Sequence, residues 1–343
     1  MKKAKSTVKQ TKRSSDSITL EDVARLAGVS TITVSRALNY PEKVASTTLE
    51  NVNRAISQTG YVPNLLAGGL ASKKTKLIAA IIPSITNSVY AETIQHFSSY
   101  LREAGYQVIL GESGYPEQNE QKLITTILSR KPDGLLLTGV NHSKECRKFL
   151  LGAKIPLVET WELTQSPLDI AVGFSHEQVG VAVGSYVANK GIKQVGSVCA
   201  NDRRAKIREQ AMCDELKRRG IDDIKTAEVS APTNLQSGRA GFSQLLQQGF
   251  RNGIICCSSD TVAHGVLIEA QARGIRVPYE VSVLGFGDQN FASETYPAIS
   301  TVRIDRSKIG LLAAETLLAR IDEKAIEKTI IDVGFEIVER QTT

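Results

Sequence analysis

The stretch that decides the fold spans residues 19–39, TLEDVARLAGVSTITVSRALN. Thr19 is placed to cap a first helix, and Asp22 stands three residues later, where the acid of a capping box belongs. Gly28 supplies the left-handed backbone that ends this helix, and Ser30 can cap a second helix directly after the turn. Two short helices joined by a three-residue turn that contains glycine predict a helix-turn-helix.

The second helix of this pair has two different faces. Val34, Ala37 and Leu38 recur at helical spacing and predict a buried face. The opposite face carries short hydrogen-bonding side chains, one isoleucine and one guanidinium, namely Thr31, Ile32, Thr33, Ser35, Arg36 and Asn39. Such a face is typical of a helix that enters the DNA major groove, although a helical hairpin within a larger core has a similar pattern.

The residues that follow favour DNA recognition over the hairpin. A third helix is predicted from about Ser46 to Thr59, with Gly60 as its stop, so that three helices share one small core. Residues 64–72, NLLAGGLAS, would have one apolar face if helical, but the paired glycines each oppose a helix by roughly 1 kcal/mol relative to alanine. We expect this segment to be disordered alone and to become ordered only against a partner.

The excess positive charge lies in the first quarter of the chain. Residues 1–76 hold 13 Lys and Arg against 5 Asp and Glu, the remainder holds 29 against 31, and the net charge is +6. A basic segment attached to a near-neutral body predicts a polyanion partner for that segment alone. For residues 1–17, a functional basic arm and a merely solvated tail both remain open.

Composition excludes several classes of protein. With 343 residues, of which 41% are hydrophobic, the chain has the size of two or three globular domains. No apolar run follows the basic N-terminal residues and none elsewhere is long enough to span a bilayer, so we expect neither a signal peptide nor a membrane span. The five cysteines lack metal-type or disulfide-framework spacing, which predicts free thiols in a reducing cytoplasm.

After residue 76, apolar strands alternate with amphipathic helices. Strands are predicted at 77–82, 107–110, 134–138, 156–159, 170–174, 194–199, 226–229, 253–257, 281–286 and 329–333, and helices at about 90–104, 119–129, 178–190, 205–219, 237–247, 262–273 and 307–321. Continuous apolar strands separated by helices indicate parallel sheets covered on both faces. This length suits two doubly wound halves, with a ligand in the cleft beyond the carboxyl ends of their strands.

Seven motifs together point to one protein family. The runs TLEDVARLAGVSTITVSRALN, GYVPN, LLAGGLA, PDGLLLTG, DIAVGFSH, SSDTVAHG and VSVLGFGD resemble the lac-repressor and gal-repressor family of bacterial transcription regulators across residues 18–340. The resemblance implies a small all-α helix-turn-helix domain and an α/β core of two doubly wound parallel-sheet subdomains, like those of periplasmic sugar-binding proteins. It further implies a cytoplasmic, nucleoid-associated homodimer that binds palindromic double-stranded operator DNA and senses a small molecule, without cofactor, metal or catalytic residue.

This family assignment implies a domain organisation. We expect a basic disordered tail at 1–17, the helix-turn-helix domain at 18–62, a hinge segment at 63–76 and an effector-binding core at 77–340. The N-subdomain of the core takes 77–173 and 304–333, and the C-subdomain takes 175–302 and 335–340. Ligand is expected to move the two halves about crossings near Phe174, Arg303 and Gly334, and so to alter the paired hinge segments.

The resemblance also implies which residues contact DNA. Base contacts fall to Thr31, Ile32 and Arg36 in the major groove, where a guanidinium can bond a guanine edge and methyl groups can touch thymine. Leu70 matches a wedge in the minor groove, although it could instead only pack in the dimer. Phosphate contacts fall to Thr19, Ser30, Thr33, Ser35, Asn39 and Thr48. Ala45 stands where the family often has serine, so we expect the third helix to begin late, with Ser46 as its cap.

Three segments of the core resemble the branch of the family that senses gluconate or related sugar acids: residues 83–92 (PSITNSVYAE), 158–161 (VETW) and 166–174 (SPLDIAVGF). A polyhydroxy acid needs a cation for its carboxylate, acceptors for its hydroxyls and an aromatic wall. The matched positions offer Arg208 and Arg306 as cations, Asn87, Thr138, Glu159, Ser259 and Asp260 as hydroxyl partners, and Tyr90, Trp161 and Phe174 as apolar or stacking surface. Gly287 replaces an acid found in many sugar-binding relatives, which suits an anionic ligand, although it could merely ease a turn.

Several alternative functions remain open from the sequence. A regulator of this family could respond to a neutral sugar, a phosphorylated sugar or a purine, or act as both activator and repressor. A periplasmic binding protein would share the core but needs a signal peptide and has no counterpart of residues 18–72. An enzyme needs a catalytic constellation, and the sequence has neither a Gly-rich phosphate loop nor a nucleophile elbow. The histidines lack metal-ligand spacing, and we expect core or solvated positions for His96, His142, His176 and His264.

Overall fold

The computed structural model describes residues 18–62, 74–114 and 117–343. The chain divides into two compact units, Met1–Thr75 and Lys76–Thr343. The predicted basic tail, most of the predicted hinge and the Leu70 wedge lie outside the described residues.

Residues 18–62 of the first unit form three α-helices, α1 (Leu20–Ala27), α2 (Thr31–Asn39) and α3 (Ser46–Thr59), with a 3-10 turn at Pro41–Lys43. Thr19 and Asp22 form the predicted capping box, Gly28 has a φ of 68°, and the Ser30 hydroxyl caps α2. The three helices share one small core, which consists of Val23, Ala24, Val34, Ala37, Val52 and Ala55. The helix-turn-helix prediction is therefore confirmed.

The start of α3 corrects one expectation. Ser46 is the first helical residue rather than the cap, and Ala45 takes the cap position without any side-chain hydrogen bond. Because Ala45 has no polar side chain, the first free backbone N–H groups of α3 have no capping acceptor there.

The second unit contains two six-stranded sheets. The first is built from β1 (Leu77–Ile82), β2 (Gln107–Glu112), β3 (Gly134–Thr138), β4 (Leu157–Thr160), β5 (Ile170–Gly173) and β11 (Ile330–Asp332). Its spatial order is β11-β5-β4-β3-β1-β2, and all neighbouring strands are parallel. In β1, Ile78 and Ala80 pack on one side of the sheet and Ala79 and Ile81 on the other, which explains why the whole strand is apolar.

The second sheet is built from β6 (Gln194–Ala200), β7 (Asp223–Val229), β8 (Gly253–Cys257), β9 (Val281–Gly287), β10 (Ser300–Arg303) and β12 (Glu336–Val338). Its order is β12-β10-β9-β8-β6-β7. All neighbours are parallel except β12, which runs antiparallel to β10. The sequence analysis did not predict β10 or β12.

Eight helices accompany these sheets: α4 (Ser88–Glu103), α5 (Glu117–Leu128), α6 (Lys144–Ala153), α7 (His176–Asn189), α8 (Arg203–Arg218), α9 (Leu235–Gln247), α10 (Asp260–Ala272) and α11 (Arg306–Ile321). The chain passes between the two halves after β5, after β10 and after β11, and α11 returns to pack on α4. Two doubly wound halves are thus confirmed, and α6 is an additional helix that the sequence analysis missed. None of the helices among the described residues could cross a membrane.

Candidate functional site

The outward face of α2 is the candidate DNA-reading surface. Ile32 leaves 70% of its surface exposed, and Arg36, one helical turn later on the same face, is also exposed. Within residues 18–62 the guanidinium of Arg36 makes no hydrogen bond or ion pair, whereas Arg25 of α1 pairs with Asp22. An exposed apolar side chain beside an uncommitted guanidinium can meet thymine methyls and a guanine edge together.

The hydroxyls expected to contact phosphates lie mainly at the helix ends. The Thr19 hydroxyl donates to Asp22 Oδ2 at 2.7 Å, so a phosphate would have to compete with this carboxylate. Ser30 Oγ and Thr33 Oγ1 are 2.9 Å apart, and the two hydroxyls share one hydrogen bond, which leaves one donor for DNA. The Asn39 amide donates to the Ser35 carbonyl at 2.8 Å, and Thr48 is half-buried on α3. Their phosphate contacts stay predictions.

The second candidate site is the cleft between the halves of the core. An arginine cavity there is lined by Asn87, Tyr90, Trp161, His176, Arg204, Arg208 and Ser259, and has a volume of about 70 Å³. A carboxylate cavity adjoins it and is lined by Glu120, Thr138, Glu162, Asp202, Arg203 and Arg204. The two share Asp202, Arg204 and Ala231, and the carboxylate cavity, with about 540 Å³, has the size of a small-molecule site.

Helix α8 supplies the positive charge of the arginine cavity. Asp202 caps this helix, and Arg204 and Arg208 follow one turn apart. Arg208 donates to the Ser258 carbonyl at 3.1 Å, and its guanidinium lies 3.7 Å from the centre of the Phe286 ring. Burial and the nearby Arg204 charge lower the pKa of Arg208 to about 10, so the group remains a cation at neutral pH.

His176 fixes the orientation of Arg208. Its Nδ1 lies 3.0 Å from Arg208 Nη1. Burial, together with the charges of Arg208 and Arg204, lowers the pKa of His176 well below its usual value, so the imidazole is neutral at pH 7. Because the guanidinium can only donate, Nδ1 must be the acceptor and Nε2 carries the proton. His176 is buried, as the expectation of a core position requires, and it also lines the arginine cavity.

The opposite wall comes from the first sheet. Trp161 follows β4 with a φ of 71°, in the left-handed region, and this turn directs Trp161 and Glu162 into the cleft. Gly173 on β5 lies against the same turn, where a Cβ would meet the Glu162 backbone nitrogen at 2.6 Å. The Tyr90 and Trp161 rings pack edge to face with centroids 5.4 Å apart. This wall is therefore rigid and aromatic, with one carboxylate.

Two hydrogen-bonded contacts cross the cleft and join its walls. Arg204 Nη2 donates to the Tyr90 hydroxyl at 2.6 Å. Arg203 Nη1 donates to Glu162 Oε1 at 2.6 Å. Any ligand that enters between the halves must replace or extend these contacts. Ligand binding can therefore change the relative position of the two walls.

The structure brings together six of the ten residues expected to bind an effector. Asn87, Tyr90, Trp161, Arg208 and Ser259 line the arginine cavity and Thr138 lines the carboxylate cavity. Sequence reasoning missed Glu162, Asp202, Arg203, Arg204 and His176. The four-residue spacing between Arg204 and Arg208, directly after a capping aspartate, was a usable signal for Arg204.

Glu159 does not occupy the position in the cleft that was expected of it. Its carboxylate is 1% exposed, accepts from the Leu168 backbone nitrogen at 2.7 Å and faces His142 Nε2 at 3.4 Å. His142 Nδ1 in turn contacts Glu120 Oε1 at 2.9 Å. The side chain of Glu159 therefore points into a buried His142–Glu120–Glu159 cluster, and it lines neither of the two cavities.

Asp260, Arg306 and Phe174 are also placed differently from expectation. The Asp260 carboxylate is buried, accepts from Thr301 Oγ1 at 2.5 Å and from the Gln289 backbone nitrogen at 2.6 Å, and holds together the second sheet. Burial raises its pKa to about 6. Arg306 pairs with Glu92 of α4 at 2.8 Å. Phe174 is fully buried behind Trp161. None of these three lines either cleft cavity.

His142 is expected to give the core a pH-dependent stability. Burial lowers its pKa, but the hydrogen bonds and charges of Glu120 and Glu159 outweigh burial and raise it to about 9. A histidine whose pKa is raised in the folded state increases the free energy of unfolding. This contribution is complete below the unfolded-state pKa of 6.5 and is lost as the pH rises to about 9. The contribution is about 3 kcal/mol at most.

The matched comparison uses thermal unfolding of two variants between pH 6.5 and 9. The difference in melting temperature between the parent chain and His142→Gln should shrink steadily across this range. His264→Gln is the control, because burial lowers the pKa of His264 and its titration falls below this range. A His142→Gln difference that stays constant from pH 6.5 to 9 would contradict the assignment.

Among the described residues, no group of three His, Cys, Asp or Glu side chains could hold a metal ion.

A family model described as bacterial regulatory proteins, lacI family, matches residues 19–64, and one described as a periplasmic binding protein-like domain matches residues 185–343.

Relatives and solved structures match nearly the whole chain. The chain is 35% identical to the HTH-type transcriptional regulator GntR of Pseudomonas aeruginosa, over 95% of each chain. It is 29% identical to the HTH-type transcriptional repressor PurR of Vibrio atlanticus, over 94% of this chain and 98% of that protein. The crystal structure of a LacI-family transcriptional regulator from Silicibacter pomeroyi matches with a TM-score of 0.89 and 30% identity, over 95% and 99% of the two chains.

Proposed function

Because this chain belongs to the lacI family of bacterial regulatory proteins and is a DNA-binding transcription repressor, we propose that its cleft binds gluconate or a related sugar acid and that this binding changes its affinity for operator DNA. The observation that carries the proposal is the pair of guanidiniums in the arginine cavity, Arg204 and Arg208, one helical turn apart. Two cations facing one cavity favour an anionic ligand.

The remaining groups of the cleft suit a polyhydroxy tail. Asn87, Ser259 and Thr138 offer neutral hydrogen-bonding groups, and Glu162 offers a carboxylate acceptor. Tyr90 and Trp161 offer a flat apolar surface against which the C–H groups of a sugar chain can lie. The two guanidiniums of the arginine cavity outnumber its single carboxylate, that of Asp202, which is why we prefer an acid. The relatives are transcription regulators rather than enzymes, and we propose a binding rather than a catalytic function.

On the DNA side, we propose that Thr31, Ile32 and Arg36 read base edges in the major groove. Thr19, Ser30, Thr33, Ser35, Asn39 and Thr48 then fix the register through phosphates. A homodimer would present two such surfaces to a palindromic operator, since a two-fold symmetric protein reads two-fold symmetric half-sites.

We propose that coupling between ligand and operator begins at the contacts across the cleft. A ligand that bonds Arg204 competes with Tyr90, and one that bonds Arg203 or Glu162 competes with their ion pair. Ligand binding therefore changes which relative positions of the two halves are favourable. It can shift operator affinity only by as much as its affinities for the two states differ, typically 1 to 3 kcal/mol.

The proposed ligand class is tested by calorimetric titration of the purified full chain with gluconate and with glucitol. The two molecules share a six-carbon polyhydroxy skeleton, and only gluconate carries a carboxylate. We expect one gluconate per chain and binding of glucitol that is at least about 100-fold weaker, since two charge-assisted hydrogen bonds are lost. Equal binding of the two, or no binding of gluconate, would contradict the proposal.

A further inference from the structure

The two cavities of the cleft differ in charge. Helix α8 presents Arg204 and Arg208 to the arginine cavity, in which Asp202 is the one carboxylate. The turn after β4 and helix α5 present Glu162 and Glu120 to the carboxylate cavity, which Asp202, Arg203 and Arg204 also line. Glu120 also contacts His142, which faces the buried Glu159 on its other side. A ligand that spans both cavities therefore meets mainly cations at one end and mainly carboxylates at the other.

Glu162 is the side chain that meets the far end of such a ligand. Its side chain is 9% exposed, and its Oε1 accepts from Arg203 at 2.6 Å. Its Oε2 is directed toward Gly139, where a Cβ would lie 4.0 Å away, and makes no hydrogen bond within the described residues. One carboxylate oxygen is therefore available to a ligand in the carboxylate cavity.

The backbone prevents Glu162 from moving away. The left-handed Trp161 precedes it, and Gly173 on the neighbouring strand approaches so closely that a Cβ would lie 2.6 Å from the Glu162 nitrogen and 2.8 Å from its carbonyl oxygen. Arg203, which offsets the Glu162 charge, has a half-exposed side chain and reaches the pair from the solvent side. Water screens the charge of this half-exposed cation more than that of the buried Glu162 carboxylate.

From this geometry we infer that Glu162 determines specificity: it limits the ligand to a monoacid that places its carboxylate at Arg204 and Arg208 and its hydroxyl tail at Glu162. This inference rests on the proposed function and adds the orientation and charge of the ligand. A tail hydroxyl donates to Glu162 Oε2. A second carboxylate at the same place would face the carboxylates of Glu162 and Glu120, and would be repelled.

The test compares three ligands on one carbon skeleton by calorimetry with the full chain: glucitol with no carboxylate, gluconate with one and glucarate with two. For the parent chain we expect glucarate to bind at least about tenfold more weakly than gluconate. In Glu162→Gln, the amide keeps an acceptor for a hydroxyl and removes the charge, so the ratio of the two dissociation constants should fall below about three. The ratio of the two dissociation constants is the readout, because a general loosening of the cleft weakens the binding of both ligands alike.

Two further variants separate specificity from a merely structural role. Arg203→Gln leaves Glu162 without its cation, so the preference for gluconate over glucarate should increase, in the opposite direction from Glu162→Gln. Glu228→Gln breaks an ion pair that another residue of α8, Lys206, forms at the surface, away from both cavities, so the ratio should stay as in the parent chain. Thermal unfolding of each variant identifies any that fails to fold. If Glu162→Gln does not fold, the ratio measured for Arg203→Gln tests the inference by itself.

The outcomes distinguish this inference from the proposed function. If gluconate binds but glucarate binds equally well, or if neither variant changes the ratio, Glu162 does not set specificity and the inference is wrong while the proposed function stands. If gluconate does not bind the parent chain, the proposed function fails and this inference fails with it.

Discussion

Replacing Arg208 with methionine is expected to weaken gluconate binding by about 10- to 150-fold, because a hydrogen bond to a charged group contributes about 1.5 to 3 kcal/mol. Arg208 is the most constrained cation of the cleft, held by His176 at 3.0 Å, by the Ser258 carbonyl at 3.1 Å and by the Phe286 ring. It therefore meets a carboxylate without first losing side-chain freedom. Methionine keeps the apolar contact with Phe286 and removes only the guanidinium.

Calorimetry with gluconate and thermal unfolding check this result together. Arg208→Lys keeps the charge without the planar fork, so its affinity should lie between those of the parent chain and Arg208→Met. Arg218→Met is the matched control, since Arg218 lies on the same helix and pairs with Glu215 instead of lining the cleft. The assigned geometry has an independent test, because the Arg208 charge helps to lower the pKa of His176. NMR titration should therefore show a higher His176 pKa in Arg208→Met than in the parent chain. Unchanged gluconate affinity would exclude Arg208 from the site.

Replacing Arg36 with alanine is expected to weaken operator binding by about 5- to 150-fold, which corresponds to 1 to 3 kcal/mol for one guanidinium that reads a base pair. The guanidinium is exposed and makes no hydrogen bond or ion pair within residues 18–62, so its loss should not disturb the three-helix core. Preference at one operator base pair should relax, and gluconate affinity should not change. Fluorescence anisotropy with the operator and with its single-base variants measures both effects.

Arg36→Lys separates base reading from general attraction to DNA. Lysine retains the charge, so binding to unrelated DNA should remain close to that of the parent chain, while the two-pronged contact with a guanine is lost. If Arg36→Ala weakens specific and unrelated DNA equally, Arg36 contacts a phosphate and the assigned orientation of α2 is wrong.

The helix-turn-helix was predictable in detail because its determinants are local. Thr19, Asp22, Gly28 and Ser30 act on backbone groups within four residues of themselves, so their chemistry is fully visible in the sequence. The buried parallel strands were predictable for a similar reason, since both faces of each strand are covered and the apolar run is continuous.

Elements that depend on distant partners were missed. Strand β10 contains Ser300 and Thr301, which look like loop residues but are fully buried. Strand β12 has three residues and pairs Val338 with Thr301 across the second sheet. Such short strands carry no periodicity of their own, and only long-range pairing defines them.

The choice between Glu159 and Glu162 shows why the site was only partly predictable. Glu159 belongs to the regular part of β4 and so follows the alternation of the strand away from the cleft. The left-handed Trp161 reverses the chain immediately afterwards and brings Glu162 into the cavity. A positive φ at tryptophan is uncommon and the sequence does not reveal it. Likewise, nothing near Arg306 indicates its pairing with Glu92 across the core.

The central claim is that ligand in the cleft and DNA on α2 are thermodynamically coupled. The most direct measurement is the gluconate dissociation constant with and without a saturating palindromic operator selected from random DNA, alongside the operator dissociation constant with and without gluconate. We expect operator to change the gluconate dissociation constant by about 5- to 150-fold. Gluconate should change the operator dissociation constant by the same factor, since coupling is reciprocal. No change in either dissociation constant, with both ligands bound, would contradict the account.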